Sequence, residues 1–459
     1  MKTETKEFWS LLFKLAVPIA LQHLLINSLT FVDTLFMSQL GDVALSASGM
    51  ASQCNWLLSM VCFGVCSGTA LFVSQYWGAK KHEEINKTYA IAAVSALFAA
   101  VVFFCAAFFF SEKIMSFFND DIKVISTGSA YLRIAAFSYP ATVLTSVLCT
   151  VLRSTEKVKL PMFVSMVSTG LNIFLDYALV FGAFFFPEMG VEGAALATSI
   201  SSWVGLVVLI LISNYQKNVV VMPIRNFVTF TGADFISFMK KASPVIVNEM
   251  LWGFGMVVNN IIYSNTGYEN YAACTILRTI ESLCIIMFIG LNDGGAVIIG
   301  KTVGENKLDL AYNYAKKLTV TVPFLSLGLG LVMILFRNNV IHIFNISGNI
   351  SNYTLGIASY LVIIYGIEIA FRNIPYTLVC AVFRSGGDSV TGAKYDLLCL
   401  WILAIPVTYF VAFHLKLAFP LVFLTEYLVE DIPKAILCVR HFLSKKWIKP
   451  VTDFKTESV

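Results

Sequence analysis

Charge is what this 459-residue chain has little of: 13% of its residues are Asp, Glu, Lys or Arg, against about 25% in a typical soluble domain. A disordered segment or a nucleic-acid-binding surface needs dense charge, so both are excluded, and nucleic acid is not an expected partner. Histidine is sparse too: five residues, scattered at 23, 82, 342, 414 and 441, with no metal-ligand spacing. No two of the ten cysteines form a C-x-x-C, so they read as small buried apolar residues rather than a zinc or redox site. H-E-x-x-H and G-x-S-x-G are missing, and residues 385–388 read S-G-G-D rather than the G-x-G-D of intramembrane aspartyl proteases. Gly78-Ala79-Lys80-Lys81 and Gly304-Glu305-Asn306-Lys307 lack the Gly-x4-Gly-Lys-[Ser/Thr] spacing that cradles phosphate. An enzyme is therefore not expected, nor is ATP as the energy source. The first fourteen residues mix acids with bases, carry no small-residue cleavage site and do not read as a removable signal.

What the chain does have is apolar length. Hydrophobic residues make up 58%, with a mean hydropathy of +0.77. Twelve stretches fit the roughly 20 apolar residues needed to cross a bilayer. They lie near 13–37, 51–77, 88–110, 127–151, 161–185, 192–213, 241–264, 272–299, 318–336, 355–382, 393–414 and 418–439. Barrel strands alternate with period 2 in pieces of about 10 residues. These runs are continuous, so they must be helices that satisfy their own backbone groups in lipid. The expected fold class is an all-α polytopic membrane protein whose constant partner is the lipid bilayer.

Lys and Arg set the orientation. With the N-terminus inside, inner segments hold 25 of the 32 cationic side chains and outer loops hold Lys113, Lys123, Arg337 and Lys416, while Arg133, Arg278 and Arg372 fall within spans. That imbalance places both termini in the cytoplasm of a cell-membrane protein. The chain also matches itself at an offset of 226: Lys14, Ala16, Pro18 and Leu25 align with Lys240, Ala242, Pro244 and Leu251. Gly64, Gly68, Ala70, Gly78 and Lys81 align likewise with Gly290, Gly294, Ala296, Gly304 and Lys307. Two six-helix halves follow, 1–214 and 241–459, joined by a cytoplasmic linker at 215–240. Because six is even, both halves insert in the same orientation, related by an axis along the membrane normal. Such repeats are typical of secondary transporters, which bind their ligands near the interface between halves.

Several runs are distinctive. They are LAVPIALQHLLINSLTFVDTLFMSQLG at 15–41, GTALFVSQYWGA at 68–79, LRSTEKVKLPM at 152–162, LNIFLDYALVFG at 171–182, GVEGAALAT at 190–198 and FRSGGD at 383–388. Together they resemble the multidrug and toxic compound extrusion (MATE) family over nearly the whole chain. The resemblance implies two pseudo-symmetric six-helix lobes working by alternating access as a monomer. It further implies export of amphipathic, mostly cationic organic compounds in exchange for H⁺ or Na⁺, with no other cofactor.

An ionisable residue inside a span costs about 2.5–3.5 kcal/mol on insertion scales, so each needs a reason. His23, Asn27, Thr30 and Thr34 form one stripe on the first span, with Asp33 at its edge. Asn172 and Asp176 share a face of the fifth span and stand at a depth similar to Asp33. Two nearby carboxylates cannot both stay ionised unless a proton or a cation compensates. Oxygen ligands from Asn172 or Thr198 suit a hard cation such as Na⁺, with Asp33 and Asp176 as its charged ligands. The family resemblance assigns these positions to cation coupling.

The second half departs from the first. Glu249 takes the register of His23 and Asn259 that of Asp33, while Asn373 stands where part of the family has a tenth-span aspartate. His23, Asn27, Glu249, Asn259, Asn373 and Asp293 are the candidates for lining the substrate cavity. Glu281 with Arg278 and Glu368 with Arg372 are spaced for ion pairing within one helix. Pro18 and Pro244, related by the repeat, are the best hinge candidates. Two rival functions remain: a flippase for lipid-linked saccharides from the same superfamily, and a polytopic membrane enzyme.

Overall fold

Lipid offers no partner to an unpaired backbone group, and the chain answers with helix throughout. The computed structural model describes residues 2–218, 230–344 and 351–451; part of the linker expected at 215–240 and the tail from residue 452 lie outside the described residues. The first six helices are α1 (Lys2–Gln39), α2 (Asp42–Gly78), α3 (His82–Phe109), α4 (Ile122–Ser154), α5 (Lys159–Val180) and α6 (Gly190–Tyr215). The second six are α7 (Gly232–Ser264), α8 (Tyr268–Gly304), α9 (Leu308–Phe344), α10 (Asn352–Gly386), α11 (Ser389–Phe413) and α12 (Phe419–Leu443). A short helix, Ser111–Phe118, joins α3 to α4.

Among the described residues, eleven of these helices are long and apolar enough to cross a membrane. The twelfth, α12, has the length but carries Glu426, Glu430, Asp431, Lys434 and Arg440. Proline marks the irregular places. α4 narrows to a 3₁₀ turn at Ala136–Ser138, just before Pro140. α10 widens to a π-helix at Thr377–Phe383 after Pro375, and α11 does so at Leu398–Ala404 ahead of Pro406. Pro18 and Pro244 sit inside continuous helices.

The helices form two compact units, Val17–Ile246 and Met1–Ala16 together with Val247–Val459. Both boundaries fall inside a helix, one residue before or two after a repeat-related proline. Small residues explain the assignment. In the first unit, the start of α7 packs on α2, where a methyl group added at Gly68 would lie 2.7 Å from Ala242 Cβ. In the second, the start of α1 packs on α8, where a methyl at Gly294 would lie 3.2 Å from the Ala16 nitrogen. Gly68 and Gly294, like Ala242 and Ala16, are the same repeat positions. There Phe8 also stacks on Tyr314 at 4.8 Å, and Lys317 Nζ donates to Thr5 Oγ1 at 2.8 Å. Overpacking such a contact costs about 1–3 kcal/mol. Gly68→Val should lower the melting temperature of the purified protein, whereas Gly170→Val, at a position with nothing within 4 Å, should not.

The turn between α10 and α11 is held by the chain's C-terminal end. Gly387 has φ +101°, a conformation that side chains disfavour. The Lys449 N–H donates to the Gly386 carbonyl at 2.7 Å, and fully buried Trp447 lies over Gly386. Asp388, buried, accepts from His441 Nε2, Lys449 Nζ and Thr391 Oγ1, each at 2.9 Å. Burial works to raise its pKa, but the bonds from Lys449, Thr391 and His441 outweigh it and hold the carboxyl below its ordinary range. A depressed folded pKa stabilises above the ordinary value, and that stabilisation is lost as pH falls through the folded one. Pepsin cleavage after Leu443 should therefore accelerate below about pH 4. Asp388→Asn should flatten that pH dependence.

Candidate cation site and embedded charges

In the unit formed by Val17–Ile246, α5 and α6 approach closely because small residues line their seam. A methyl on Gly193 would lie 2.7 Å from the Leu179 carbonyl oxygen, and Ala197 packs against Leu175 and Leu179. One turn along α6 come Thr198 and Ser201, opposite Asn172 and Asp176, which are 0% and 1% exposed. With its amide oriented to satisfy both ends, Asn172 donates to Asp176 Oδ2 at 2.9 Å. Its oxygen accepts from Ser201 Oγ and from the Thr198 backbone N–H, each at 3.2 Å. Asp33, half-buried on α1, brings its carboxyl group within hydrogen-bonding reach of Asp176. Each of the two acids keeps one buried oxygen without a hydrogen-bond donor. Tyr131 of α4 packs on Met37, Val180 and Ala194, close enough to feel the charge of both acids.

Thus Asp33, Asn172, Asp176 and Thr198, expected to act together, do converge. The arrangement is two adjacent carboxyl groups, one of them oriented by the Asn172 amide, whose own oxygen is held by Ser201 and the Thr198 backbone rather than turned to the acids as an oxygen ligand. Such a pair can share a proton or close on a small cation. Tyr131 and Ser201 are additions that the sequence did not single out. Each is one aromatic or hydroxyl among many, and only the packing of α4 and α6 against α5 selects them.

Toward the other end of α1 lies a cavity of about 380 Å³. His23 lines it, whereas Asn27 of the same stripe is exposed and outside the lining. Gln22 Nε2 crosses to Ser165 Oγ at 3.0 Å. Thr145, Ser146 and Thr150 contribute hydroxyls, and Arg153 contributes the wall's guanidinium. No carboxylate is among the lining residues.

The other unit is richer in charge. Glu249 forms an ion pair with Arg384 at 2.6 Å, both side chains largely buried. Asn259, fully buried, donates to Glu426 Oε1 of α12. Asn373 donates to Ser326 Oγ at 2.8 Å, and Asp293 is half-buried beside Asn292. The spacing-based pairs re-sort. Arg372 bonds Glu281 of α8 at 2.8 Å rather than Glu368 one turn away, and both carboxylate oxygens of Glu368 are buried without a hydrogen-bond donor, near Asp431 of α12. Arg133 reaches out of α4 to Glu112 at 2.8 Å and to Ser111 Oγ at 2.8 Å. Lys434 bonds Glu430 at 2.8 Å and Asp396 at 3.1 Å, and Asp396 accepts from Asn248 at 3.2 Å. Lys434, one of the 25 cations assigned to inner segments, lies inside the expected span 418–439, and the acids of α12 were not singled out. Their spacing of four, 426, 430 and 434 within a span, was the available signal.

A family model described as MatE matches residues 18–178 and 244–410, well over half of the chain. The chain belongs to the MatE family. This MatE chain is 24% identical over 448 residues to a probable multidrug resistance protein NorM of Thermotoga maritima, covering 98% of this chain and 95% of that one. It is 21% identical over 438 residues to the uncharacterized transporter YisQ of Bacillus subtilis, covering 95% of each. Among solved structures, the bent form of the Vibrio cholerae MATE transporter VcmN agrees with a TM-score of 0.85 at 17% identity, over 97% of this chain and 100% of that one. A MOP superfamily transporter from Pyrococcus furiosus, described by the reverse polarity of its binding pocket, gives 0.82 at 16% identity over 95% and 94%. At such identities the solved structures speak to the fold, which is the twelve-helix MATE type. Membership in this family makes the chain a multi-pass membrane efflux transporter, not an enzyme.

Proposed function

We propose that this MatE protein is a secondary antiporter of the cell membrane that exports amphipathic, mostly cationic organic compounds in exchange for H⁺ or Na⁺. The convergence of Asp33 and Asp176 with Asn172, Ser201 and Thr198 is the observation that carries this reading. Empty, the pair must hold a proton between its carboxyl groups, since two adjacent buried charges repel. A cation entering from outside binds the conformation in which these oxygens converge more tightly than one in which they separate. Only that difference in affinity can drive the transport cycle. The halves 1–214 and 241–459 act as its two lobes, with the linker 215–240 and both termini in the cytoplasm. The protein works as a monomer and needs no cofactor beyond its coupling ion.

The test is the purified protein in sealed vesicles loaded with an ethidium-like cation. An imposed H⁺ or Na⁺ gradient should accelerate its export, and the gradient that works names the ion. Export unaffected by either gradient ends the antiporter reading. One observation favours a second reading, a flippase for lipid-linked saccharides. The wall of the 380 Å³ cavity presents hydroxyls and Arg153 but no carboxylate, a lining suited to sugar hydroxyls and an anionic phosphate. Translocation of a fluorescent lipid-linked sugar in the same vesicles, without cation export, would select it.

A further inference from the structure

The unit Val17–Ile246 also holds thiols that the antiport cycle leaves without a role. Cys62 and Cys66 are four apart on α2, so one face of the helix carries both. Both are free thiols, and their Sγ atoms lie 3.9 Å apart. Both border the cavity of about 380 Å³, and pockets that take drug-sized ligands measure about 300–1,000 Å³. The rest of that wall is divided in character. Leu29, Phe63 and Val164 supply an apolar part, while Ser146 and Thr150 of α4 place a hydroxyl beside Cys62 and Cys66 respectively. Nothing in the repeat requires the thiols, because the matching positions of α8 are Phe288 and Asn292.

Two thiols that one atom can reach together are a chelate for a thiophilic element. Zinc is not matched, since it takes four ligands and, among the described residues, no three His, Cys, Asp or Glu side chains converge on a metal. Trivalent arsenic that carries an aryl group has two valences left, and two thiols fill both. Its ring is apolar and needs an apolar wall beside the sulfurs. We propose that Cys62 and Cys66 form a dithiol site for trivalent aryl arsenicals, with the ring lying in the apolar part of the cavity.

The binding step balances without an oxidant. Each S–H gives up its proton, and each sulfur forms one bond to arsenic. The arsenical's oxygen breaks from arsenic, takes both protons and leaves as water; arsenic stays trivalent. The helix holds the second thiol beside the first, so the second As–S bond forms at a high effective concentration. A single thiol would give only the first bond, which any competing thiol exchanges. Neither the coupling ion nor the pair Asp33 and Asp176 enters this chemistry, so the site goes beyond the antiporter reading.

The test is intact-mass measurement of the reduced, purified full chain after incubation with phenylarsine oxide. It reads binding without transport, so it fails or succeeds apart from the antiporter reading. The native chain should retain one equivalent, with loss of one water, in an excess of 2-mercaptoethanol, and should yield it to a small dithiol. Cys62→Ser and Cys66→Ser should each weaken that retention about 100-fold. Cys149→Ser, which removes the third thiol lining the same cavity, should retain it as the native chain does. If Cys62→Ser, at a buried position, does not fold, Cys66→Ser at its half-buried one decides alone. The proposal is overturned if the native chain retains no arsenic against the monothiol, if Cys66→Ser retains as much as the native chain, or if Cys149→Ser loses it.

Discussion

Asp33→Asn should reduce gradient-driven export by about 100-fold while leaving the protein folded, because an amide matches the carboxyl in size but neither shares a proton nor neutralises a cation. Asp33 is half-buried, so the new amide can also be hydrated, and the packing of Met37 with Val180 and Ala194 is untouched. Asp176→Asn should lose as much export and somewhat more stability, since Asp176 is 1% exposed and accepts the Asn172 amide. The double variant should be no worse than either single one, because the two acids act as one unit. The measurement is the initial rate of export from vesicles, beside a melting curve of each purified protein. Wild-type rates in Asp33→Asn would remove this pair from the mechanism.

The second large effect is on stability. Arg384→Met should destabilise the protein by about 3–5 kcal/mol, the usual cost of leaving one member of a buried ion pair unmatched. Glu249 would then be the unmatched charge, its side chain 15% exposed. Adding Glu249→Gln should recover most of the loss, because replacing both charges removes the desolvation penalty along with the attraction. Thermal unfolding of the two single variants and the double one gives the coupling directly. The same set separates two roles for Glu249. As a partner of Arg384 it moves stability with little effect on substrate; as the counter-charge of a cationic substrate it would move apparent affinity with little effect on melting.

These two experiments fall where reading by spacing did well and where it did not. Asn172 and Asp176 are four apart, and a helix puts them on one face whatever surrounds it. Their depth could be counted from the ends of the span, and so could that of Asp33. Face and depth allowed the three to meet; that they do so was implied by the family resemblance, since nothing in the spacing makes the first and fifth spans neighbours. Arg372 was legible only in part. Its spacing from Glu368 permits an intrahelical pair, but permission is not choice, and Glu281 of α8 takes Arg372 instead. Glu249 shows the same limit, because nothing in its neighbourhood of the sequence points to Arg384, 135 residues away.

The acids of α12 went unrecognised for a different reason. Counting 418–439 as one apolar stretch passes over its four charged residues at 426–434, which only their neighbours make tolerable there. The boundaries of the compact units were equally hidden. The repeat predicts two halves divided in the linker, whereas the starts of α1 and α7 each pack with the other half of the sequence, at Gly294 and Gly68.

Hydropathy, loop charge and internal repetition follow from composition along the chain, so the sequence alone determined the helices and their number, while its motifs, by resemblance, implied the family and the first carboxyl pair. Which buried charges meet is decided by contacts between helices far apart in the chain, where low polarity makes an unmatched charge costly and gives each ionisable group a strong preference among partners. Only the tertiary structure could assign Arg384 to Glu249, Arg372 to Glu281, and the Asn259 amide to Glu426 of α12.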